Sequence, residues 1–232
     1  MTLFWFLITL IGLVIVQRWI HQHLHGVALL LTGQPDMAIV LYALPILPGV
    51  ALHELSHALM AAVLRVRSAN LTIIPRRQPD GHIRLGSVQV EKVDAIRLSL
   101  IGLAPLLLGC AAVLMIIQYA FGVSGLGEAI RSHDPSLMFT ALGGALRVPD
   151  AWLWLYLLFA IANAMMPSPA DRETWPPVIA LIVIVVVLVV VTGFGSILNS
   201  IGPALDDGLS WLAAAFTITL IVDLPFVFFI WL

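Results

Sequence analysis

Three residues of this chain, His53, Glu54 and His57, have the types and the spacing of a metal-dependent hydrolytic site. On an α-helix, residues four apart are offset by about 40° around the axis and about 6 Å along it, so the two imidazoles can bind one metal ion. Glu54 lies about 100° further round, where its carboxylate can contact a water at the metal without binding the metal itself. The H-E-x-x-H spacing therefore predicts a zinc site with Glu54 as general base. The competing interpretation is a polar cluster that only joins helices.

The surroundings of this motif are apolar. Between Met37 and Leu64, Glu54 is the only charged residue. A helix over that range would be about 42 Å long, which is enough to cross a bilayer with tilt. An ionised acid near the centre of such a span costs about 2.5 to 3.5 kcal/mol, and residues retained at that cost usually have a function. Pro45 and Pro48 should interrupt the helix ahead of the motif, either to admit water or as an ordinary kink.

The composition of the chain indicates a polytopic α-helical membrane protein. Hydrophobic residues make up 61% and charged residues 10% of the 232 residues, and the mean hydropathy is +1.05. We expect a single membrane domain over 1–232, with an N-terminal apolar stretch that is retained and is not a signal peptide. About six transmembrane helices are predicted, at about 3–20, 37–64, 95–121, 151–166, 177–197 and 209–232.

The segment between the second and third spans is basic and has strand patterns. Seven of the eleven Lys and Arg residues lie within 65–97, which by the positive-inside rule is cytoplasmic and argues against a nucleic-acid surface. Apolar residues mark strands over 70–74 and 83–90, with a turn signal at 78–81 and a bulge expected at Gly86-Ser87. We expect a small membrane-associated β-hairpin or sheet. Its edge could hold an extended peptide by strand addition, or the hairpin could simply connect two helices.

A third metal ligand is expected after the fourth span. Pro167 and Pro169 end that helix, so Asp171 lies on irregular backbone just beyond an apolar span and can bend towards a facing helix. Counting spans from the basic segment puts Asp171 on the same side of the membrane as the two imidazoles. Three residues compete with this assignment: Glu173 and Asp223 as alternative ligands, and Arg172 as an ion-pair partner of Asp171.

The remaining histidines are expected to bind no metal. His21, His23 and His25 alternate after the first span, and residues two apart on a helix point in different directions. This spacing would chelate only from an extended strand, so we expect an unliganded cluster at the membrane interface. His133 is expected to be a solvated loop residue.

At this point the motifs resemble those of the site-2 protease family of intramembrane zinc metalloproteases. Members carry H-E-x-x-H in one transmembrane helix, a membrane-associated hairpin or sheet after it, and N-x-x-P-x-x-x-x-D-G near the end of a later helix. Asn163 and Asp171 keep the eight-residue separation of that second motif, while its proline is displaced to Pro167 and Arg172 replaces its glycine. The family's Gly-Pro-x-x-Asn is reduced to Gly102-Leu-Ala-Pro105, without the Asn. The resemblance covers about 37–175 and leaves 1–36 and 176–232 as accessory helices.

The resemblance implies a zinc endopeptidase that hydrolyses a transmembrane segment of another protein within or near the bilayer. It implies that His53, His57 and Asp171 bind Zn²⁺, that Glu54 is the catalytic base and that Asn163 binds the substrate backbone. The expected setting is a prokaryotic plasma membrane with the active site towards the cytoplasm. Two alternatives remain: a catalytically silent relative that binds transmembrane segments as a chaperone or scaffold, and a metal transporter that uses the other histidines and Asp223.

Overall fold

The computed structural model describes residues 1–77, 83–121, 136, 148–192 and 195–231, and these are largely helical. The described helices are α1 (Thr2–Thr32), α2 (Pro35–Ala43), α3 (Leu47–Val63), α4 (Ala95–Tyr119), α5 (Ala151–Ala162), α6 (Pro169–Arg172), α7 (Trp175–Val191) and α8 (Gly195–Trp231). The predicted turn at 78–81 and the loop residue His133 lie outside the described residues.

Among the described residues, five stretches are long and apolar enough to cross a membrane: α1, Pro35–Val63, α4, Pro169–Val191 and Ser200–Trp231. The span predicted at about 151–166 is instead the short apolar helix α5. Its 12 residues form a helix about 18 Å long, which is shorter than the ~30 Å hydrocarbon core of a bilayer. The fold class predicted from composition is confirmed: an α-helical membrane protein with a small sheet between its second and third long apolar stretches.

Two of the helices are longer than predicted. The sequence pattern ends the first span near residue 20, whereas α1 continues to Thr32 and includes all three alternating histidines. No proline occurs before Pro35 to stop this helix. It ends at Gly33, which has a left-handed φ of 62° and whose N–H donates to Leu29 O. The last helix begins at Gly195 rather than near 209.

The predicted interruption of the second span is confirmed. Helix α2 ends at Ala43, a 3-10 turn covers Leu44–Ile46, and α3 begins at Leu47 with Pro48 in its first turn. Proline lacks an N–H and is best accommodated in the first turn of a helix, and each of the two prolines lies in the first turn of a new helical segment here. The break directs α3 into contact with both α4 and α5.

The strands form two short antiparallel pairs. Strand β1 (Ser68–Thr72) pairs with β4 (Ser87–Val90), and β2 (Arg76–Arg77) pairs with β3 (Ile83–Arg84). The hairpin is therefore as predicted, but its bulge is not. The register shifts on β1 between Ala69 and Thr72, where Asn70 has a φ of 52°. Asparagine tolerates this left-handed conformation better than most residues, which explains why the extra residue is accommodated in β1 and not at Gly86-Ser87.

Helices α3 and α5 contact each other at Gly49. A Cβ built on this glycine would overlap Ala160 O and lie 2.8 Å from Ala164 Cβ. Small residues permit such close approach of helix backbones in membranes, where the lipid supplies no hydrophobic force between helices. The position of α3, and therefore of the motif on it, depends on the missing side chain at this position.

We predict that Gly49→Ala separates α3 from α5 and destabilises the protein, because the contact is with backbone and cannot be relieved by a rotamer change. The expected loss is about 1 to 3 kcal/mol, the usual cost of overpacking. Thermal unfolding of the purified protein in detergent measures it. The matched control is Gly202→Ala in α8, where a Cβ meets nothing within 4 Å. Equal melting temperatures for the two variants would contradict the prediction.

Candidate metal centre

The two histidines of the motif lie together on α3 as predicted. Their ring centroids are 4.8 Å apart, and His57 Nε2 lies 3.1 Å from His53 Nε2. His57 is buried and His53 is partly buried. Helical spacing alone brings the imidazoles together, because residues four apart lie on one face.

Backbone carbonyls determine which ring nitrogens face each other. His53 Nδ1 lies 2.6 Å from Ala164 O, and His57 Nδ1 lies 2.9 Å from Ile101 O. A carbonyl can only accept a hydrogen bond, so both Nδ1 atoms carry the proton and donate. In the neutral imidazoles both Nε2 atoms then present lone pairs. Metal-binding histidines typically have this arrangement, with the second nitrogen donating to an oxygen that orients the ring.

Asp171 completes the group on the first turn of α6. Its side chain accepts from Ser168 N at 2.7 Å, and its own N–H donates to Ser168 Oγ at 3.3 Å, so the two residues form a capping box. The carboxylate lies 3.2 Å from His57 Nε2 through Oδ1 and 3.6 Å from His53 Nε2 through Oδ2. The predicted third ligand is therefore at the imidazoles, on a short helix begun by Pro169.

The donor set fits a tetrahedral zinc site. Zinc binds histidine nitrogen and carboxylate oxygen at about 2.0 to 2.1 Å, which separates neighbouring ligand atoms by about 3.3 Å. His57 Nε2 lies 3.1 Å from His53 Nε2 and 3.2 Å from Asp171 Oδ1, both close to this value. One ligand atom from each of the three residues lies within 4.8 Å of the other two. His53, His57 and Asp171 can hold a metal ion, and they are the one such group found among the described residues. Three protein ligands leave a fourth position for water or substrate.

Glu54 lies beside this group in the same cavity of about 660 Å³ and is 6% exposed. The segment between β3 and β4 passes directly over it: a Cβ on Gly86 would lie 2.6 Å from Glu54 Oε1. Val88 and Val90 of β4 line the cavity as well. The sheet therefore covers the carboxylate that the motif assigns as general base.

Two glycines of α4 allow close contact with the segment that contains Asp171. A Cβ on Gly102 would overlap Asp171 O, and one on Gly109 would overlap Met165 Cβ. The small-residue face of α4 thus lets non-helical backbone approach the helix closely. Gly102, the first residue of the reduced Gly-x-x-Pro motif, therefore contacts the backbone of the candidate ligand Asp171.

The two rival ligands lie apart from the metal group. Glu173 lines the same cavity but is not a member of the group, and Asp223 is fully buried against Asn163. Arg172 does not pair with Asp171: it is exposed, and its Nε donates to Ser168 O at 3.4 Å. Asn163 itself lines the cavity and is 3% exposed.

Sequence reasoning missed the contribution of α1. Gln17 Nε2 donates to Ala162 O at 2.6 Å, and His21 Nε2 donates to Asn163 O at 2.9 Å. These are carbonyls at the C-terminal end of α5, which no helical N–H can reach. The signal was the four-residue spacing of Gln17 and His21, which puts both on one face of α1. His23 instead stacks on Trp19 with ring centroids 3.9 Å apart.

No protein-family model, no curated protein and no solved structure matches this chain. The resemblance to site-2 proteases therefore rests on the motifs alone.

We predict that Asp171→Ala lowers zinc affinity by more than about 100-fold, since even residues that only support a metal ligand are worth about 10- to 100-fold. Zinc content of the purified protein, measured by elemental analysis after dialysis, tests this. Glu173→Ala and Asp223→Ala are the controls and should keep wild-type zinc content. Equal zinc content in all three variants would refute the assignment of Asp171.

A second prediction concerns the glycine that contacts this ligand. Gly102→Ala should displace the Asp171 backbone from α4 and weaken zinc binding while the α3 histidines stay in place. The expected effect is at least a tenfold loss of affinity, comparable to loss of a supporting contact. A zinc titration with a competing chelator measures it, again against Gly202→Ala. Unchanged affinity would show that the α4 contact does not position the ligand.

Proposed function

We propose that the protein is an intramembrane zinc endopeptidase that hydrolyses peptide bonds of transmembrane substrates within or near the bilayer. One observation carries the proposal: two imidazole lone pairs and a carboxylate converge at 3.1 to 3.6 Å, with a second carboxylate in the same cavity. Three converging acceptors repel each other unless a metal ion or a proton lies between them. Glu54 and the two histidines lie within a long apolar stretch, where a purely structural role is costly.

Metal binding and proton transfer would be carried out by different residues of the site. His53, His57 and Asp171 would bind Zn²⁺, which supplies Lewis acidity that polarises a carbonyl and acidifies water. Glu54 would accept a proton from the attacking water on its carboxylate and deliver it to the nitrogen of the leaving amine. The sheet over Glu54 limits access of bulk water to this carboxylate.

The site favours a peptide in an extended conformation as substrate. The cavity runs between the metal group and strand β4, and Val88 and Val90 line that side. A peptide beside a strand can pair with its edge through main-chain hydrogen bonds. The basic segment that contains the sheet predicts a cytoplasmic location for this side, which fits a prokaryotic plasma membrane.

A catalytically silent protein that binds transmembrane segments is the second candidate, favoured by helix α7. No residue of α7 is buried, although the helix contacts α4 and α8, so most of its apolar surface is available to lipid or to another helix. Arg172, where the resemblance expects glycine, gives this candidate little support because its side chain is exposed and directed to Ser168 O. A metal transporter has less support, since His21 and Asp223 are engaged separately with Asn163.

We predict that Glu54→Gln keeps zinc but loses cleavage, because glutamine preserves the shape of the side chain and cannot take a proton. Removal of a general base typically costs about 10² to 10⁴ in rate. The assay is cleavage of synthetic single-span peptides by zinc-loaded protein in lipid vesicles. Glu173→Gln, an acid in the same cavity, is the matched control and should retain activity.

Two results would redirect the proposal. Zinc binding without cleavage by either form would favour the scaffold. Zinc-dependent ion flux in the same vesicles would favour the transporter.

A further inference from the structure

A buried polar pair joins the last helix to the cavity. Asn163 Nδ2 donates to Phe159 O at 3.0 Å and to Asp223 Oδ1 at 2.9 Å. Asp223 is fully buried on α8, and Asn163 lines the cavity next to Ala164, whose carbonyl orients His53. Asp223 itself does not line the cavity, so it can act there only through Asn163.

The two acceptors fix the orientation of the Asn163 amide. Phe159 O accepts only, and the Asp223 carboxylate accepts as well, so the atom that faces both must be the NH₂ group. Both of its protons are used. The other end of the amide, Asn163 Oδ1, is buried and has no hydrogen-bond partner within the described part of the chain. A buried acceptor in this state requires a hydrogen-bond donor, which a water molecule or a bound ligand can supply.

We propose that Asp223 is a positioning residue, which holds the Asn163 amide so that Oδ1 accepts a hydrogen bond from a backbone N–H of the substrate. The inference rests on the proposed peptidase function and deepens it. It assigns a direction to the contact, since Asn163 can offer only an acceptor. It also gives α8, which lies outside the region of resemblance, a part in substrate binding.

Because Asn163 Oδ1 can only accept a hydrogen bond, the conformation and sequence of the substrate are restricted. Within an α-helix the backbone N–H groups beyond the first turn donate to carbonyls four residues earlier, so the interior of an intact helix has none to offer. The segment at Asn163 must therefore be unwound, and the residue that contacts Oδ1 must have an N–H. Proline lacks one, so proline is excluded at a single position near the scissile bond.

The test is a backbone N-methyl scan of a synthetic single-span peptide that the zinc-loaded, full-length protein cleaves. N-methylation removes one N–H at a time, as proline would. For wild type we expect one position at which N-methylation lowers kcat/KM by about tenfold or more, the usual range for loss of a well-placed hydrogen bond. Binding of the same peptides to Glu54→Gln gives a second readout that needs no hydrolysis.

Variants distinguish a positioning role of Asp223 from a purely structural role. In Asn163→Leu the discrimination against that N-methyl peptide should vanish, and in Asp223→Leu it should fall to below about threefold with zinc content unchanged. The double variant should match Asn163→Leu, because Asp223 acts only through Asn163. Thr219→Val is the matched control, since the buried Thr219 hydroxyl bonds only within its own helix, to Ala215 O at 2.9 Å. It should discriminate like wild type.

The outcomes distinguish this inference from the proposed function. Cleavage by wild type with the same N-methyl discrimination in Asn163→Leu would overturn the inference and leave the peptidase intact. Additive losses in the double variant would also overturn it, because Asp223 would then act independently. If wild type cleaves no peptide, the proposed function fails, and the Glu54→Gln binding scan decides the contact: absence of a sensitive position overturns the inference.

Discussion

The site depends on how the protein satisfies the backbone carbonyls at the end of α5. In hydrocarbon, an unpaired carbonyl costs several kcal/mol, so non-helical backbone persists only where other groups supply the hydrogen bonds. Here Ala162 O, Asn163 O and Ala164 O each accept from a side chain of another helix. Two of these donors come from α1 and the third is His53 Nδ1. The irregular stretch that delivers Asp171 therefore exists because these donors cap it.

These hydrogen bonds connect α1, α3 and the end of α5, which the sequence motifs alone do not relate to one another. The same hydrogen bond from His53 caps α5 and turns the Nε2 lone pair towards the proposed metal. His21, which the sequence analysis expects to bind no metal, supports the neighbouring carbonyl, and Tyr42 OH lies 2.7 Å from its Nδ1. Since Nε2 of His21 must donate to Asn163 O, Nδ1 accepts and the tyrosine hydroxyl donates. Helix α1 is thus part of the support of the site.

Local sequence signals predicted the parts of this structure that depend on local geometry. Helical spacing brings His53 and His57 together, and Pro169 begins the short helix of Asp171. The helix before it ends at Ala162, ahead of the predicted end at Pro167. Contacts between distant segments left no such signal. Nothing near Asp223 indicates that it faces Asn163, 60 residues away in sequence. The end of α1 was missed because its later residues resemble an interfacial segment, and only packing against α8 and α2 shows the continuous helix.

Close packing and metal binding constrain each other in this site. Lipid supplies no hydrophobic force between helices, so close contact at small residues has to hold them together. Backbone or carboxylate atoms lie within collision distance of a Cβ at Gly49, Gly86 and Gly102, and the last two contacts are with Glu54 and Asp171 themselves. Without a cation, the packing must hold two imidazole lone pairs and a carboxylate against mutual repulsion. A bound cation replaces this repulsion by bonds that join α3 to α6, so the geometry enforced by the glycines is also the geometry that a metal stabilises.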